Sequence, residues 1–162
     1  MLDQVDQRLV ELLQRNARLS NAEMAEAVGL TASSVFERVK KLEQRGVITG
    51  YVAKVNPVMV GKPLLAFMRL TSGVTEAGAL KSVEKDITGL AASEPDILEC
   101  HDVAGEDCLI LKLRAADPRE LQSLLGKIRE CYQSSKTVTS IVLETLKESS
   151  AVSPAGEEAV DR

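Results

Sequence analysis

Apolar residues recur at helical spacing three times near the start of the sequence. The first series has Asp3 as a candidate N-cap and consists of Leu2, Val5, Leu9, Leu12 and Leu13. The second series is shorter and consists of Met24, Ala25 and Val28. The third consists of Val35, Val39 and Leu42. The pattern predicts three helices that bury their apolar faces against one another.

The second and third series have the start and stop signals of two helices joined by a tight turn. Ser20 and Glu23 have the spacing of a capping box, and Gly29 permits the turn after the short helix. Thr31 is a second candidate N-cap, and Gly46 follows the last periodic residue of the longer helix. This arrangement is typical of a helix-turn-helix that reads DNA.

The second half of the chain alternates between strand and helix patterns. Helix starts are predicted at Thr75 and at Asp117–Pro118. The four predicted strands are Leu64 to Thr71, Ile97 to Val103, Cys108 to Arg114 and Val138 to Leu146. The order βαββαβ predicts a ferredoxin-like antiparallel sheet with both helices on one face, so the whole chain falls in the α+β class. Leu109, Leu111 and Leu113 should face these helices.

Apolar residues also occur where the predicted sheet has no helix to cover it. In the last predicted strand, Ile141 and Leu143 alternate with Val138 and Val142, so both faces are apolar. A second subunit on the bare face would bury these residues. A dimer would also pair two recognition helices, which suits a pseudo-palindromic site in double-stranded DNA.

The remaining segments give the domain boundaries. Val47 to Val55 is rich in β-branched residues and predicts a strand, serving as wing or hinge. Two prolines and a glycine follow in Asn56 to Pro63, which indicates a linker. We therefore expect a winged helix-turn-helix domain with its hinge strand over residues 1–62 and a second domain over 63–147. Residues 148–162 are polar and predict a disordered tail.

The charge distribution changes the meaning of the formal net charge of −4. Residues 1–60 have eight Lys and Arg against seven Asp and Glu, whereas residues 61–162 have twelve against seventeen. Four of the cations lie within the third helix, where two copies would make enough phosphate contacts to bind DNA. The acidic second half should confine that contact to the first.

Position along the third helix predicts separate roles for its polar residues. A recognition helix reads base edges from its N-terminal turns and contacts phosphates elsewhere. We therefore place Ser33, Ser34 and Glu37 near the bases. The residues expected on phosphates are Arg38, Lys40, Lys41 and Arg45. The alternative for each residue is an ordinary solvated helix face.

Other features limit the classes of protein that fit. No signal peptide and no apolar run of about 20 residues is visible, so no membrane segment is expected. Cys100, Cys108 and Cys131 show no C-x-x-C spacing, which favours a reducing cytoplasm. One histidine and three dispersed cysteines do not make a metal site, and no phosphate-loop or dinucleotide motif occurs. We expect no metal and no cofactor.

Five motifs in register resemble the Lrp/AsnC, or feast/famine, family of transcriptional regulators. They are LDQVDQRLVELLQRNARLS, AVGLTASSVFERVKKLEQRGVITGY, NPVMVG, HDVAGEDCLILKL and TVTSIVLETLK. The resemblance implies an N-terminal winged helix-turn-helix and a C-terminal ferredoxin-like domain that binds effectors and mediates oligomerisation. It also implies homodimers that assemble further into octamers, with an amino acid bound between subunits near the turn Val103–Cys108.

The resemblance also implies an effector site in this turn. Gly105 and Glu106 match the first positions of the family's G-[D/E]-x-D motif, whereas Cys108 stands where the family has its final aspartate. Thr137 and Thr139 match the T-x-T that opens the last strand. Asp102 and Asp107 add carboxylates that would suit an ammonium group. The alternative is an acidic hairpin that binds nothing.

Two other functions remain open at this point. One is an architectural DNA-binding protein without an effector. The other is a cysteine-dependent enzyme, because a two-residue loop at Ala104–Gly105 would place His101 directly opposite Cys108. No third orienting residue is evident for that pair, so we expect a regulator and not an enzyme.

Overall fold

The computed structural model describes residues 2–72, 87–131 and 135–154. These residues form two compact units. The helical unit contains the residues up to Ala53 together with those from Lys147 onward, and the sheet unit is Lys54–Leu146. The helix start predicted at Thr75 lies outside the described residues. No helix in the described ranges is long and apolar enough to cross a membrane.

The helical unit contains three helices, α1 (Gln4–Arg15), α2 (Asn21–Val28) and α3 (Ala32–Gln44). The N-caps predicted at Asp3, Ser20 and Thr31 are confirmed, and Ser20 and Glu23 form the complete capping box. Gly29 has a φ of 69°, the left-handed conformation that the tight turn before α3 requires. The apolar faces meet in a core of Leu9, Leu13, Met24, Ala25, Val35 and Leu42.

The sheet unit has the predicted ferredoxin-like arrangement. Its strands are β1 (Leu64–Ser72), β2 (Ile97–Asp102), β3 (Leu109–Ala115) and β4 (Ser135–Ile141). They pair antiparallel in the order β2-β3-β1-β4. Helix α4 covers residues 87–93, and α5 is Pro118–Cys131. Asp117 starts α5 by accepting hydrogen bonds from the Arg119 and Glu120 N–H groups at 2.8 and 2.9 Å.

The core lies on the face of the sheet that packs against the helices, which we call the covered face. Leu109, Leu111 and Leu113 are buried there, as the alternation predicts. The core residues are Ala66, Met68, Leu70, Ile87, Ile97, Leu109, Leu111, Leu113, Ala115, Leu121, Leu124, Leu125 and Ile128. The opposite face, which we call the open face, carries the alternate residues Phe67, Arg69 and Thr71. No hydrophobic cluster forms on it among the described residues.

One strand prediction was wrong, and another was wrong in its bounds. Val47 to Val55 forms no strand, because no other described segment pairs with it, and Val52 is 93% exposed. The last strand is Ser135–Ile141 and not Val138 to Leu146. Pairing with β1 ends at Ala66 and Ile141, with one further bond from the Val142 N–H to the Leu65 carbonyl, and residues 144–146 fall beyond Leu64, where β1 begins.

Two further contacts fix segments outside the strands and helices. The Gln14 side-chain amide donates to the Val152 carbonyl and accepts from the Val152 N–H, at 2.8 and 2.6 Å. In the sheet unit, Lys62 Nζ lies 2.7 Å from Asp96 Oδ2 and 2.6 Å from Glu120 Oε1. Lys62, at the end of the linker, therefore forms ion pairs with the first turn of α5 and with the residue before β2.

Candidate DNA-binding groove and effector region

A groove of about 560 Å³ lies along α3 and reaches the first turns of α1. Its lining contains six of the seven residues predicted to bind DNA. The lining residues are Asp6, Ser33, Ser34, Glu37, Arg38, Lys41, Gln44 and Arg45. Lys40, the seventh predicted residue, is exposed but does not line the groove. We call this the α3 groove.

Hydroxyl groups cluster at the N-terminal end of the groove. Thr31 caps α3 by accepting from the Ser34 N–H at 3.2 Å. Its Oγ1 also lies 2.9 Å from Ser34 Oγ and 3.1 Å from Ser33 Oγ. All three side chains are exposed, at the positively polarised end of the helix. Hydroxyls that both donate and accept suit contacts to base edges or to phosphate oxygens.

The cations of the groove fall into two kinds. Lys41 and Arg45 are exposed and form no ion pair with any described residue. Arg38 is different, because its Nη1 lies 2.7 Å from Asp3 Oδ2 and 2.7 Å from Asp6 Oδ1. The hydrogen bonds that Arg38 donates to Asp3 and then to Asp6 raise the pKa of Arg38. The Asp6 N–H and then the Arg38 guanidinium lower the pKa of Asp3.

The effector region predicted from the sequence is the turn between β2 and β3. The turn closes with the Val103 N–H donating to the Cys108 carbonyl at 2.9 Å, and the Cys108 N–H donates to the Leu70 carbonyl at 2.8 Å. Gly105 has a φ of 149°, a conformation that side chains disfavour. Asp102 and Glu106 are exposed. The turn thus presents carboxylates beside a backbone position that requires glycine.

Asp107 lies on the open face. Thr71 Oγ1 donates to Asp107 Oδ1 at 3.1 Å, and Arg69 Nη1 lies 3.4 Å from Asp107 Oδ2. The side chain of Asp107 is 20% exposed. A carboxylate already held by a hydroxyl and a guanidinium is oriented before any ligand arrives.

The two threonines of the predicted site lie on the other face. Thr137 is paired with Leu70 and Thr139 with Met68, so both lie on the covered face. Arg129 Nε donates to Thr137 Oγ1 at 3.5 Å. Thr139 Oγ1 is buried and has no hydrogen-bond partner among the described residues. Within one chain, the predicted effector residues therefore do not converge on a single pocket.

The register between β2 and β3 corrects the geometry proposed for a cysteine–histidine pair. His101 lies opposite Ile110, and Asp102 lies opposite Leu109. The loop therefore includes Val103 to Cys108 and is longer than two residues, so His101 and Cys108 are not directly opposed. The His101 Nε2 instead lies 3.3 Å from Glu99 Oε2.

Two family models match the chain, an AsnC-type helix-turn-helix domain over residues 2–43 and a Lrp/AsnC ligand binding domain over residues 65–152. The leucine-responsive regulatory protein of Haemophilus influenzae is 35% identical over 148 residues, which are 91% of this chain and 87% of that protein.

Two similar solved structures contain an amino acid. The feast or famine regulatory protein from Mycobacterium tuberculosis complexed with L-methionine has a TM-score of 0.82 and 32% identity, covering 95% of this chain and 100% of that chain. A transcriptional regulator from Neisseria meningitidis, also in complex with L-methionine, has a TM-score of 0.82 and 25% identity, covering 94% and 96%.

Proposed function

Because the chain belongs to the Lrp/AsnC family of transcriptional regulators, we propose that it binds a specific site in double-stranded DNA and that an amino acid adjusts this binding. The α3 groove is the observation that carries the DNA part of the proposal. It combines hydroxyls at the N-terminus of a helix with unpaired cations further along the same helix. In a recognition helix, residues in these two places contact base edges and phosphates, respectively.

We assign roles in the groove by position. Ser33, Ser34 and Glu37, near the start of α3, read base edges. Lys41 and Arg45 contact phosphates, since neither has an acidic partner among the described residues. Lys40 makes a smaller phosphate contribution, because it does not line the groove.

Homodimerisation completes the proposal, because the open face has no apolar partner within the described chain. The apolar residues on the open face include Phe67, Ile110 and Val138. The side chain of Phe67 is 37% exposed. A second copy of the sheet would bury them. Two recognition helices related by two-fold symmetry then require a pseudo-palindromic operator, and dimers assemble further into octamers.

The effector is an amino acid bound near the turn Val103–Cys108, where Gly105, Glu106 and Asp102 lie. The L-methionine complexes of similar regulators support this class of ligand. Asp107 supplies a carboxylate on the open face. The buried Thr139 hydroxyl, which has no partner in the described part of the chain, supports a polar ligand group that binds beside Thr137 on the covered face. Since one chain does not bring these groups together, the pocket forms between subunits, with Cys108 contributing a thiol where relatives have a carboxylate.

The similar proteins are transcriptional regulators and not enzymes, and we propose no catalytic role for Cys108 or His101. The runner-up is an architectural DNA-binding protein without an effector. The absence of converging effector groups within a single chain is the observation that keeps it open.

Selection of duplexes from a random library by the purified protein tests the DNA proposal. We expect enrichment of a recurrent motif with approximate two-fold symmetry. Binding without enrichment of any motif would contradict sequence-specific recognition and favour an architectural role.

Thermal unfolding in the presence of each proteinogenic amino acid tests the effector proposal. A ligand that binds only the folded state raises the melting temperature, and the same ligand should then change the affinity for the selected duplex. If no amino acid changes either quantity, the effector is not an amino acid and the architectural alternative is favoured.

A further inference from the structure

The guanidinium of Arg38 is shared between two carboxylates of another helix. One nitrogen, Nη1, lies 2.7 Å from Asp3 Oδ2 and 2.7 Å from Asp6 Oδ1. The other oxygen of Asp3 accepts the Asp6 N–H at 2.7 Å and so caps α1. Both oxygens of Asp3 are therefore occupied, one by its own helix and one by α3.

The cluster of Arg38, Asp3 and Asp6 lies where it affects the electrostatic repulsion of DNA. Asp6 lines the same groove as Ser33, Ser34 and Lys41, and its side chain is only 13% exposed. Two carboxylates beside the proposed phosphate contacts would repel DNA if they were not neutralised. Arg38 contributes one positive charge directly to this pair, whereas Lys41 and Arg45 form no ion pair with any described residue.

We propose that Arg38 is a positioning residue for DNA recognition and not a phosphate contact. It holds α3 against the first turn of α1 through Asp3 and Asp6, and its single positive charge offsets one of the two negative charges where DNA approaches. The inference rests on the proposed DNA-binding function of the α3 groove. It replaces the phosphate contact that position along the helix predicts for Arg38.

A double-mutant cycle separates the two roles. Arg38→Ala is compared with the parent chain in two backgrounds, the natural chain and the Asp3→Asn/Asp6→Asn variant. Asparagine caps a helix about as well as aspartate, so α1 keeps its start in the second background. Affinity is measured for a duplex selected by the natural protein and for duplexes of random sequence. The cycle compares the fold-change in affinity that Arg38→Ala causes in each background. A difference in affinity between the two backgrounds themselves therefore does not affect the comparison.

A positioning role predicts a loss that depends on the two aspartates. In the natural background, Arg38→Ala should weaken binding of the selected duplex roughly tenfold and of random duplexes roughly threefold, so that the specificity ratio falls. In the Asp3→Asn/Asp6→Asn background, Arg38→Ala should reduce the affinity for either kind of duplex by less than about twofold. Equal losses in both backgrounds, or the same proportional loss for both kinds of duplex, would overturn the inference and indicate a phosphate contact.

Arg38→Lys keeps the proposal testable if the alanine variant does not fold. A lysine ammonium keeps the charge, but it is a strongly hydrated point charge on a flexible stem and does not fix the position of α3 as the planar guanidinium does. We expect the lysine variant to retain random-duplex affinity and to lose part of the specificity ratio. Full retention of that ratio would contradict a positioning role. If the natural protein enriches no duplex at all, the proposed function fails as well, whereas enrichment without coupling in the cycle overturns only the role of Arg38.

Discussion

The helical unit and the sheet unit differ in how each assembles its candidate site. Most of the α3 groove is built from one helix, whose residues are three to four positions apart. The predicted effector residues of the sheet unit come from one turn and from strands β2 and β4, and Asp107 lies on one face of the sheet while Thr139 lies on the other. A site on one helix is complete in a single chain. The predicted effector residues lie apart on the two faces of the sheet, and in our proposal a second chain completes the pocket.

The largest expected effect follows from the small core of the helical unit. Leu9 is completely buried among only six core residues, and a Leu→Ala change at such a position costs about 2–5 kcal/mol of stability. We expect Leu9→Ala to abolish DNA binding. Hydrogen exchange should become fast in residues 1–53, while residues 54–146 keep their protection.

Leu111→Ala is the matched change in the sheet unit, since Leu111 is also completely buried. It should increase exchange in the sheet unit and leave the helical unit protected. Loss of protection in both units for either variant would show that the two units fold as one, and the comparison above would be wrong.

A smaller effect is expected from Lys62, whose ammonium joins Asp96 to Glu120. Lys62, followed by the Ala116 N–H, lowers the pKa of Glu120 below its ordinary value of 4.5. A lowered carboxyl pKa stabilises the fold above pH 4.5, and this contribution is lost as the pH falls. Lys62→Met should therefore lower the melting temperature of the sheet unit at neutral pH, and the difference from the natural chain should shrink below about pH 4.

Lys136→Met is the control, because Lys136 is exposed on β4 and forms no ion pair with any described residue. It should leave the melting temperature unchanged at each pH. A Lys62→Met deficit that stays constant down to strongly acidic pH would show that lost packing, and not the ion pairs, causes the destabilisation.

The smallest expected effect concerns the segment that follows α3. Tyr51 donates its hydroxyl to Glu43 Oε1 at 2.9 Å, and burial, followed by this hydrogen bond, raises the pKa of Tyr51 from 10.0 to about 12. In a Tyr132→Phe variant, absorbance should report a single phenol that ionises near pH 12. A raised phenol pKa stabilises the fold below pH 10, and that contribution disappears as the pH rises towards 12.

Glu43→Gln removes the carboxylate from Tyr51 but leaves its burial, so the midpoint should fall only part of the way towards 10. A midpoint near 10 in the chain with Glu43 would show that Tyr51 is not held against α3. The segment 47–55 would then be anchored only by its chain connections.

Local signals in the sequence predicted most of the fold. Helix starts at Asp3, Ser20, Thr31 and Asp117 depend on side chains within three residues of the cap, so they are readable without any tertiary structure. The wrong strand ends have the opposite cause. Residues 144–146 have strand composition, but in this register Leu143 would already fall opposite Leu64, where β1 begins, so they have no partner in β1.

The candidate sites divide in the same way. Helical periodicity placed Ser33, Glu37, Lys40 and Gln44 on one face of α3 with Lys41 beside it, and all of these except Lys40 line the groove. No local pattern indicates that Arg38 contacts Asp3 and Asp6, which are 35 and 32 residues away. The opposite faces of Asp107 and Thr139 likewise follow from strand register and from the geometry of the turn, which depend on distant pairing.

Lys40 and Lys41 provide the most direct test of the α3 groove, because they are adjacent exposed lysines and only Lys41 lines it. The measurement is the affinity of Lys41→Ala and Lys40→Ala for the selected and random duplexes as a function of salt concentration. We predict that Lys41→Ala weakens the binding of selected and random duplexes by the same factor. It should also reduce the slope of log K against log salt by about 0.9 for each phosphate contact removed. Lys40→Ala should change the affinity and the salt dependence less than Lys41→Ala does. Equal effects of the two variants, or a larger effect of Lys40→Ala, would contradict DNA binding through the α3 groove.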